Sequence, residues 1–408
     1  MDQNGISKLD LKRLNRMEIL KRIIRYGPMS RIDLAQQLRL TRAAVTIITN
    51  EMIEQGILYE QGEQKATAAR NLRGRKKILL DIHENYKFSF GVVIDYEKFH
   101  IGLTNLKGQT LDKKITSIRG KSLRDVVELI YAQALEILSN NCLEQTAVLG
   151  LGCCVSNNAL PLFDKDNKEA CLTALRKLLE MRFKIPVLVD GTTESLAVAE
   201  MLFNSQFDEK PTNMVFIRYG YDVDAAIMLG GEVYRGTHSR SGWFAHIVVD
   251  TNGERCSCGK TGCCITKMAI PGIIERIKEL YVQGKTPILF EATGGNVDKI
   301  DFTIENLKLI LEDETVRLLY QDALAYLTTA LDNLLTVLDP DKIVLFGFVF
   351  EKILDLEMLT AMMEKEHNLR LKDRVTLSMM QDSSIHLAGN GLCVQKLFIE
   401  QGGLQDRN

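Results

Sequence analysis

Proline, aromatic residues and long apolar segments are all scarce in this sequence. Only 7 of the 408 residues are proline and 7% are aromatic, whereas 46% are hydrophobic and 25% are charged. These values are typical of globular proteins and exclude a collagen-like, mucin-like or wholly disordered chain. No apolar run reaches the roughly 18–20 residues that span a bilayer, and the N-terminus is too charged for a secretory signal. We therefore expect a cytoplasmic protein of two or three domains.

The cysteines do not suit a disulfide framework. Their number, nine, is odd, and they include two adjacent pairs, Cys153-Cys154 and Cys263-Cys264. Disulfides are rare in a reducing compartment, where clustered cysteines more often bind a metal ion. The cysteines therefore raise the question of a metal site.

The net charge of −2 hides an uneven distribution of charge along the chain. Residues 1–80 contain 16 Lys and Arg against 8 Asp and Glu, whereas the other 328 residues contain 35 against 45. A basic N-terminal module on an acidic body indicates a polyanionic partner that binds this module. A solvated charged surface without such a partner would give the same counts.

The basic module has the pattern of three helices. Apolar residues at helical spacing predict a first helix over residues 11–26, which Gly27 and Pro28 end. Ser30 predicts the N-cap of a second helix, and Thr41 predicts the N-cap of a third. Two short helices joined by a tight turn form a helix-turn-helix, although a plain helical hairpin has similar spacing.

The third helix carries the residues that we expect to contact double-stranded DNA. Its small side chains would let it sit deep in a major groove. Arg42 can reach a phosphate or a guanine, and Thr46 or Asn50 can meet base edges. The residues expected on its exposed side are Arg42, Ala43, Thr46, Thr49 and Asn50. The N-cap residue Thr41 is also expected to contact the DNA.

A polar, cationic loop follows the third helix between two short strands. Residues 57–59 and 78–80 have the pattern of paired strands, so the loop between them would be the tip of a wing. A cationic tip suits the phosphate backbone or a narrow minor groove. A solvated linker is the alternative interpretation. The wing residues expected to contact DNA are Arg70, Arg73 and Arg75.

The remainder of the chain has the pattern of an α/β body. Buried-strand runs such as residues 88–95, 148–152 and 342–346 alternate with helical stretches. A long helix over residues 316–338 is expected to cover one sheet.

The body resembles the ROK family. The strongest marker is a His at position 246 followed by C-x-C-G-x-x-G-C over residues 256–263, which is similar to the family's zinc signature. Residues 338–344 resemble the strand before the family's adenosine loop, and Gly74-Arg75 resembles a segment in the winged domain of the repressor branch. The resemblance covers nearly the whole chain and implies a two-lobed actin/hexokinase-like fold. That fold is shared by sugar-responsive repressors and bacterial sugar kinases.

The side chains of the zinc signature are also chemically suited to bind zinc. His246, Cys256, Cys258 and Cys263 offer one imidazole and three thiolates, which suit tetrahedral Zn²⁺. No open coordination position is implied, so the zinc would be structural. Unligated buried thiols are the alternative. The thiols expected to be small core residues are Cys142, Cys153, Cys154, Cys171, Cys264 and Cys393.

The resemblance also shows where the sequence departs from the kinases of the family. In the phosphate hairpin of those kinases a Gly stands where this chain has Glu97. In their second phosphate loop two Gly are replaced here by Asp222 and Asp224, and Phe348 replaces part of a Gly pair in the adenosine loop. Carboxylates in a triphosphate site would repel phosphate unless a metal intervened.

Residues of the sugar site in the family's kinases are also replaced in this chain. Gly191 and Thr192 align with the last two residues of the family's Glu-Asn-Asp, so Thr192 replaces the catalytic base and cannot act as one near neutral pH. Trp243 and Ile265 replace two sugar-binding Glu residues. We expect an altered effector cleft that includes Gly191, Thr192 and Trp243, in which Trp243 fills the cleft or stacks on an effector.

These features predict a transcriptional regulator and not an enzyme. We expect a repressor of carbohydrate-related genes that binds DNA as a homodimer or homotetramer and responds to a sugar or protein effector. A sugar kinase with a regulatory appendage and a protein that senses only a protein partner are the alternatives. The expected domains are a winged helix-turn-helix over residues 1–82, a first lobe over 83–200 and a second over 201–408, whose C-terminal helix returns to the first lobe.

Overall fold

The computed structural model divides the chain into two compact units. The first combines Met1–Lys210 with His386–Asn408, and the second comprises Pro211–Ile385. The domain boundaries expected at residues 82 and 200 stay a prediction. The structure describes residues 8–63, 77–95, 97–157, 159, 168–205, 207, 211–220, 223–238, 240–282, 284–296, 312–352, 356–367 and 374–403.

Three helices begin the first unit. They are α1 (Lys8–Tyr26), α2 (Arg31–Leu38) and α3 (Arg42–Glu54). The Ser30 side chain accepts a hydrogen bond from the backbone N–H of Asp33 at the start of α2. The Thr41 side chain accepts one from Ala44 at the start of α3. Both predicted N-caps are therefore confirmed, since each satisfies a backbone donor that the helix leaves free.

A three-stranded antiparallel sheet completes the N-terminal module. Its strands are β1 (Met29–Ser30), β2 (Leu58–Glu63) and β3 (Ile78–Ile82). Strand β3 lies in the middle, with Leu80 opposite Met29 on one side and Ile82 opposite Leu58 on the other. Three helices and a small antiparallel sheet in this order form a winged helix-turn-helix, as the sequence predicts.

A five-stranded sheet forms the rest of the first unit. Its strands are β4 (Phe88–Asp95), β5 (Lys98–Asn105), β6 (Thr110–Ser117), β7 (Val148–Val155) and β8 (Val187–Gly191). Their order is β6-β5-β4-β7-β8. The pairs β4–β5 and β5–β6 are antiparallel, whereas β4–β7 and β7–β8 are parallel. Strand β4 is buried along its whole length, which explains its continuous apolar run.

Helices pack on both faces of this sheet. They are α4 (Leu123–Asn140), α5 (Lys168–Phe183), α6 (Thr192–Phe203) and α13 (Leu387–Cys393). Helices α4 and α5 share an apolar cluster with Phe90 and Leu151, whereas α13 packs on β4 and β7 from the other side. A side chain on Gly152 would clash with the Gly389 backbone, so these glycines let α13 approach β7 closely.

The second unit is built on another five-stranded sheet. Its strands are β9 (Met214–Tyr219), β10 (Val223–Leu229), β11 (Glu232–Val233), β12 (Lys342–Phe346) and β13 (Val375–Leu377). Their order is β11-β10-β9-β12-β13, in which β9, β12 and β13 are parallel to one another and β10 is antiparallel to both its neighbours. The sheet core includes Val215, Ile217, Ile343 and Leu345.

Helices pack against this second sheet. They are α7 (Ile265–Met268), α8 (Ile270–Val282), α9 (Pro287–Thr293), α10 (Glu314–Leu338), α11 (Phe348–Lys352) and α12 (Leu356–His367). The predicted long helix is α10, whose Leu327 and Leu331 lie in the same apolar cluster as the sheet. Within the described ranges, no helix has both the length and the apolar character that crossing a membrane requires.

An apolar cluster joins the N-terminal module to the C-terminal segment of the chain. It contains Ile19 and Met52 from the module together with Val394 and Phe398 from the segment after α13. Arg16 is fully buried beside it. Its Nε donates to the Gly402 carbonyl at 2.7 Å, and a second nitrogen donates to Gln55 Oε1 at 2.7 Å. The Arg16 guanidinium therefore connects α1, the end of α3 and the C-terminal segment.

We expect Arg16→Ala to lower the free energy of unfolding by about 3 kcal/mol, because it removes a fully buried side chain together with its hydrogen bonds to Gly402 and Gln55. Urea unfolding followed by circular dichroism measures this change. Arg13→Ala is a matched control, since Arg13 is exposed and also contacts the C-terminal segment, through Gln401. The control should change the same free energy by less than about 0.5 kcal/mol. Equal losses in the two variants would contradict the structural role assigned to Arg16.

Candidate nucleic-acid interface and candidate metal centre

The exposed side of α3 is a small polar surface. Thr41, Arg42, Ala43, Thr46 and Asn50 are all exposed. The Thr46 hydroxyl donates to the Arg42 carbonyl at 2.8 Å, which keeps that side chain close to the helix. A helix with short side chains on its exposed side can lie deep in a major groove. The DNA contacts expected of these residues stay a prediction.

Two residues of α3 differ from what the sequence predicts. Thr49, expected on the exposed side, is fully buried, so that prediction is wrong. Its hydroxyl donates to the Val45 carbonyl and accepts from Arg31 Nε, which makes burial of a polar group possible. Ile47, which sequence reasoning missed, has 62% of its surface exposed. Its position one helical turn after the exposed Ala43 was the available signal.

The base of the wing is held to the helix-turn-helix. Lys77 Nζ lies 2.7 Å from Asp33 Oδ1, which links the residue before β3 to α2. Both side chains are partly exposed, so the ion pair orients the wing more than it stabilises the fold. The predicted wing contacts Arg70, Arg73 and Arg75 lie between β2 and β3, outside the described residues.

A short loop in the second unit brings four metal-binding side chains together. An isolated β-bridge between Arg255 and Thr261 folds the chain back on itself. Gly262 has a φ of +75° and lies so close to the Asp250 carbonyl that a side chain would clash. The turn therefore requires glycine at this position. The four side chains are those of His246, Cys256, Cys258 and Cys263.

The spacing of the four donor atoms suits a single ion. All four lie within 4.8 Å of one another. His246 Nδ1 is 3.5 Å from Cys256 Sγ, and Cys258 Sγ is 3.6 Å from Cys263 Sγ. Donors of a tetrahedral zinc ion, with Zn–S and Zn–N bonds of about 2.3 and 2.0 Å, lie roughly 3.5–3.8 Å apart. The cluster is therefore compatible with a structural zinc site.

The ionisation of the cluster also favours a cation. Burial and the neighbouring thiols raise the pKa of Cys263 to about 12. Burial and the Lys260 cation lower the pKa of His246, which keeps the imidazole neutral and able to ligate. The backbone N–H of Lys260 lowers the pKa of Cys258. Thiolates as close as these would repel one another, so a divalent cation bound between them would stabilise their ionised forms.

The other cysteines are buried, with one exception. Cys264 is fully buried, and its Sγ lies 3.1 Å from the Phe244 carbonyl oxygen. Cys142 is exposed with a φ of +53°, so the prediction of a core position is wrong. It lies in the turn after α4, where the chain is at the surface. The remaining buried thiols are Cys153, Cys154, Cys171 and Cys393.

Polar side chains meet at the carboxyl ends of the parallel strands in the first unit. Gly191 ends β8 and Thr192 begins α6. The Ser156 hydroxyl, directly after β7, donates to Thr192 Oγ1 at 3.2 Å, and Thr192 is only 3% exposed. Ligands of open α/β sheets bind at this edge. Sequence reasoning missed Ser156, whose place just after a buried strand was the signal.

Trp243, in the second unit, is half exposed. The Arg240 guanidinium lies 5.2 Å from the centroid of its ring, and the His246 ring lies 5.7 Å away in an edge arrangement. Trp243 therefore contacts a cation and one member of the metal cluster. Gly191 and Thr192 belong to the other unit, so the prediction that all three residues line one cleft stays a prediction.

Carboxylates were predicted at the positions of the phosphate loops of the family's kinases, and that correspondence stays a prediction. Glu97 lies between β4 and β5, with an oxygen 3.6 Å from Arg119 Nε. Asp224 is the second residue of β10, and Asp222 lies outside the described residues. A carboxylate at such a turn disfavours a bound phosphate group.

The fold and the two candidate sites define a winged helix-turn-helix protein with an α/β body that carries a His/Cys₃ cluster. The sequence profile of the ROK family matches residues 89–389. The chain therefore belongs to the ROK family, as the zinc signature predicts.

Several curated relatives are repressors. A xylose repressor of Caldicellulosiruptor bescii is 22% identical over 90% of this chain and 94% of its own length. The DNA-binding transcriptional dual regulator NagC of Escherichia coli K12 is 29% identical over 69% of each chain. The similarity of these two relatives to this chain extends over most of its length.

Solved structures share the fold. A ROK family transcriptional regulator, described as a homologue of the E. coli MLC protein, matches 96% of this chain and 98% of its own with a TM-score of 0.71 and 22% identity. A ROK family glucokinase from Streptomyces griseus matches 75% of this chain and 98% of its own with a TM-score of 0.58 and 18% identity. The predicted combination of a winged helix-turn-helix and an actin/hexokinase-like body is confirmed.

Proposed function

We propose that the chain is a DNA-binding transcriptional repressor of carbohydrate-related genes. The observation that carries this proposal is the exposed polar side of α3 in a winged helix-turn-helix of positive net charge. A helix of this kind reads base edges in the major groove, while the surrounding cations attract the phosphate backbone. The relatives named as xylose repressors support the link to carbohydrate genes.

Each proposed DNA contact has a distinct role. Arg42, in the first turn of α3, reaches guanine or phosphate, while Thr46 and Asn50 meet base edges. Thr41 caps the same helix, where backbone N–H groups favour a phosphate. The wing residues proposed to bind the backbone or the minor groove are Arg70, Arg73 and Arg75.

The body is proposed to set the spacing of the DNA-binding modules. A homodimer or homotetramer would place two modules on half-sites separated by whole helical turns. A sugar or protein effector that binds one arrangement of the lobes more tightly than another would change this spacing. Gly191, Thr192 and Trp243 are the proposed effector contacts.

We expect Arg42→Ala to weaken binding to the chain's own upstream DNA by roughly 5- to 150-fold, because one base contact contributes about 1–3 kcal/mol. Gel-shift titrations with that DNA and with random DNA of equal length measure the change. A larger loss on the specific fragment assigns Arg42 to a base, and an equal loss on both assigns it to phosphate. Unchanged affinity for both fragments would remove Arg42 from the interface.

The His/Cys₃ cluster is proposed to hold one structural Zn²⁺. His246, Cys256, Cys258 and Cys263 would be its ligands, and the ion would cross-link the loop that they form. Because four protein ligands complete a tetrahedron, the ion would take no part in chemistry.

Cys256→Ser should reduce bound zinc from about one per chain to near zero and lower the melting temperature, because three ligands hold the ion weakly. Elemental analysis and thermal melts measure the two effects. Cys264→Ala is the matched control, since Cys264 is an adjacent buried thiol outside the cluster, and it should retain zinc. Trp243 is the only tryptophan and contacts His246, so its fluorescence should change when a chelator removes the ion. Wild-type protein without zinc would contradict the assignment.

The body is proposed to lack sugar kinase activity. Thr192 stands where the family kinases have their catalytic carboxylate, and its hydroxyl is buried and hydrogen-bonded to Ser156. A hydroxyl cannot accept the proton of a sugar near neutral pH. The kinase alternative would therefore need a base from elsewhere in the chain.

In a coupled assay with ATP and a panel of hexoses, we expect no ADP release above the rate without sugar. An active ROK family glucokinase, assayed in parallel, confirms that the coupling system works. Sugar-dependent turnover that increases with protein concentration would favour the kinase alternative over the repressor.

A further inference from the structure

Arg31, the first residue of α2, connects three parts of the winged module. Its Nε donates to Thr49 Oγ1 at 3.1 Å, and one terminal nitrogen donates to Glu60 Oε1 at 2.9 Å. The other terminal nitrogen donates to Asn50 Oδ1 at 3.0 Å. Thr49 and Asn50 lie in α3, whereas Glu60 lies in β2. Every nitrogen of this guanidinium therefore has a partner within the module, and its plane is fixed by three bonds.

This arrangement determines which way the Asn50 amide faces. A guanidinium only donates hydrogen bonds, so the oxygen of the amide and not its NH₂ group must face Arg31. The cation beside that oxygen also repels any further N–H donor that approaches it. Asn50 itself is exposed, so its NH₂ group is the part of the amide left to meet a ligand.

The usual contact between asparagine and a base uses both ends of the amide. Asparagine binds adenine by donating to N7 and accepting from the N6 amino group. With the Arg31 cation beside its oxygen, the second of these bonds is disfavoured, whereas the first can still form. Guanine offers O6 and N7 and thymine offers O4, all of which are acceptors, whereas cytosine offers only a donor in the major groove.

We propose that Arg31 makes Asn50 a hydrogen-bond donor in the major groove, selective at one operator position for guanine, which offers two acceptors, over cytosine, which offers only a donor. This inference rests on the proposed function, because it assigns a base preference within the DNA contact of α3. Glu60 supports it by neutralising the Arg31 cation and tying it to the wing. Arg31 is accordingly a positioning residue, and Asn50 is the group that touches the base.

Selection of bound fragments from a randomised DNA library, followed by sequencing, tests the proposal on the full-length chain. The operator position read by Asn50 is identified as the one at which the Asn50→Ala variant no longer prefers any base. Wild-type protein should select guanine there and disfavour cytosine. Asn50→Asp keeps an acceptor for Arg31 but loses the NH₂ group, so it should lose this preference by about tenfold, as Asn50→Ala does.

The Arg31→Met variant distinguishes the positioning of the Asn50 amide by Arg31 from the general effect of removing one positive charge. It keeps a stem of similar length but releases the Asn50 oxygen, so the same operator position should shift toward adenine. Arg39→Met is the matched control, because Arg39 is an exposed arginine directly after α2 and its loss removes the same charge. The control should weaken binding to all fragments without changing the preferred base. Circular dichroism of each variant verifies folding, and the Asn50 variants test the proposal even if Arg31→Met fails to fold.

Three results would overturn the proposal: a wild-type preference for adenine at the position read by Asn50, an unchanged preference in Asn50→Asp, or no operator position that depends on Asn50. In each of these cases the chain still selects DNA, so the proposed function survives. If wild-type protein selects no sequence and binds no fragment in a salt-sensitive way, the proposed function itself fails. The two failures are therefore distinguishable.

Discussion

The buried Arg16 guanidinium and the apolar cluster beside it attach the N-terminal module to the rest of the first unit. Arg16 links the end of α3, through Gln55, to the Gly402 carbonyl. The C-terminal segment continues from α13, which packs on the central strands of the first unit. Because a buried cation that loses one partner is costly, this connection resists bending. The orientation of α3 is therefore fixed relative to the five-stranded sheet of the same unit, so the proposed DNA-reading surface moves together with that sheet.

The body retains the fold of its family while the chemistry at its strand ends differs. Packing of apolar residues such as Phe90 and Leu151 determines the fold, whereas phosphoryl transfer depends on a few polar groups. At the carboxyl ends of the strands Ser156 and Thr192 hydrogen-bond to each other. In the proposed function the body senses an effector and assembles the chain, and these roles need no catalytic base.

Features that depend on neighbouring residues were predictable from the sequence. The N-caps Ser30 and Thr41 act on backbone groups three residues away, and the His/Cys₃ cluster is formed within one short segment. The zinc signature also predicted the family, which the match to residues 89–389 confirms. Local hydrogen bonds and tight turns can therefore be predicted from the spacing of residues in the sequence.

Features that depend on distant residues were not predictable. The exposure of Thr49 was predicted wrongly because its partner Arg31 is 18 residues away. Gly402, whose carbonyl accepts a hydrogen bond from Arg16, is 386 residues away and has no signature in the sequence. Periodicity predicts which side of a helix is apolar, but it does not indicate where a polar residue finds a buried partner.

Binding of double-stranded DNA by the N-terminal module is best measured through its salt dependence. The affinity of the full-length chain for DNA from upstream of its own gene would be measured by fluorescence anisotropy from about 50 to 200 mM salt. We expect tighter binding than to random DNA and a logarithmic affinity that falls linearly with the logarithm of salt, by about 0.9 per phosphate contacted. Affinity that is absent, or that does not change with salt, would contradict it.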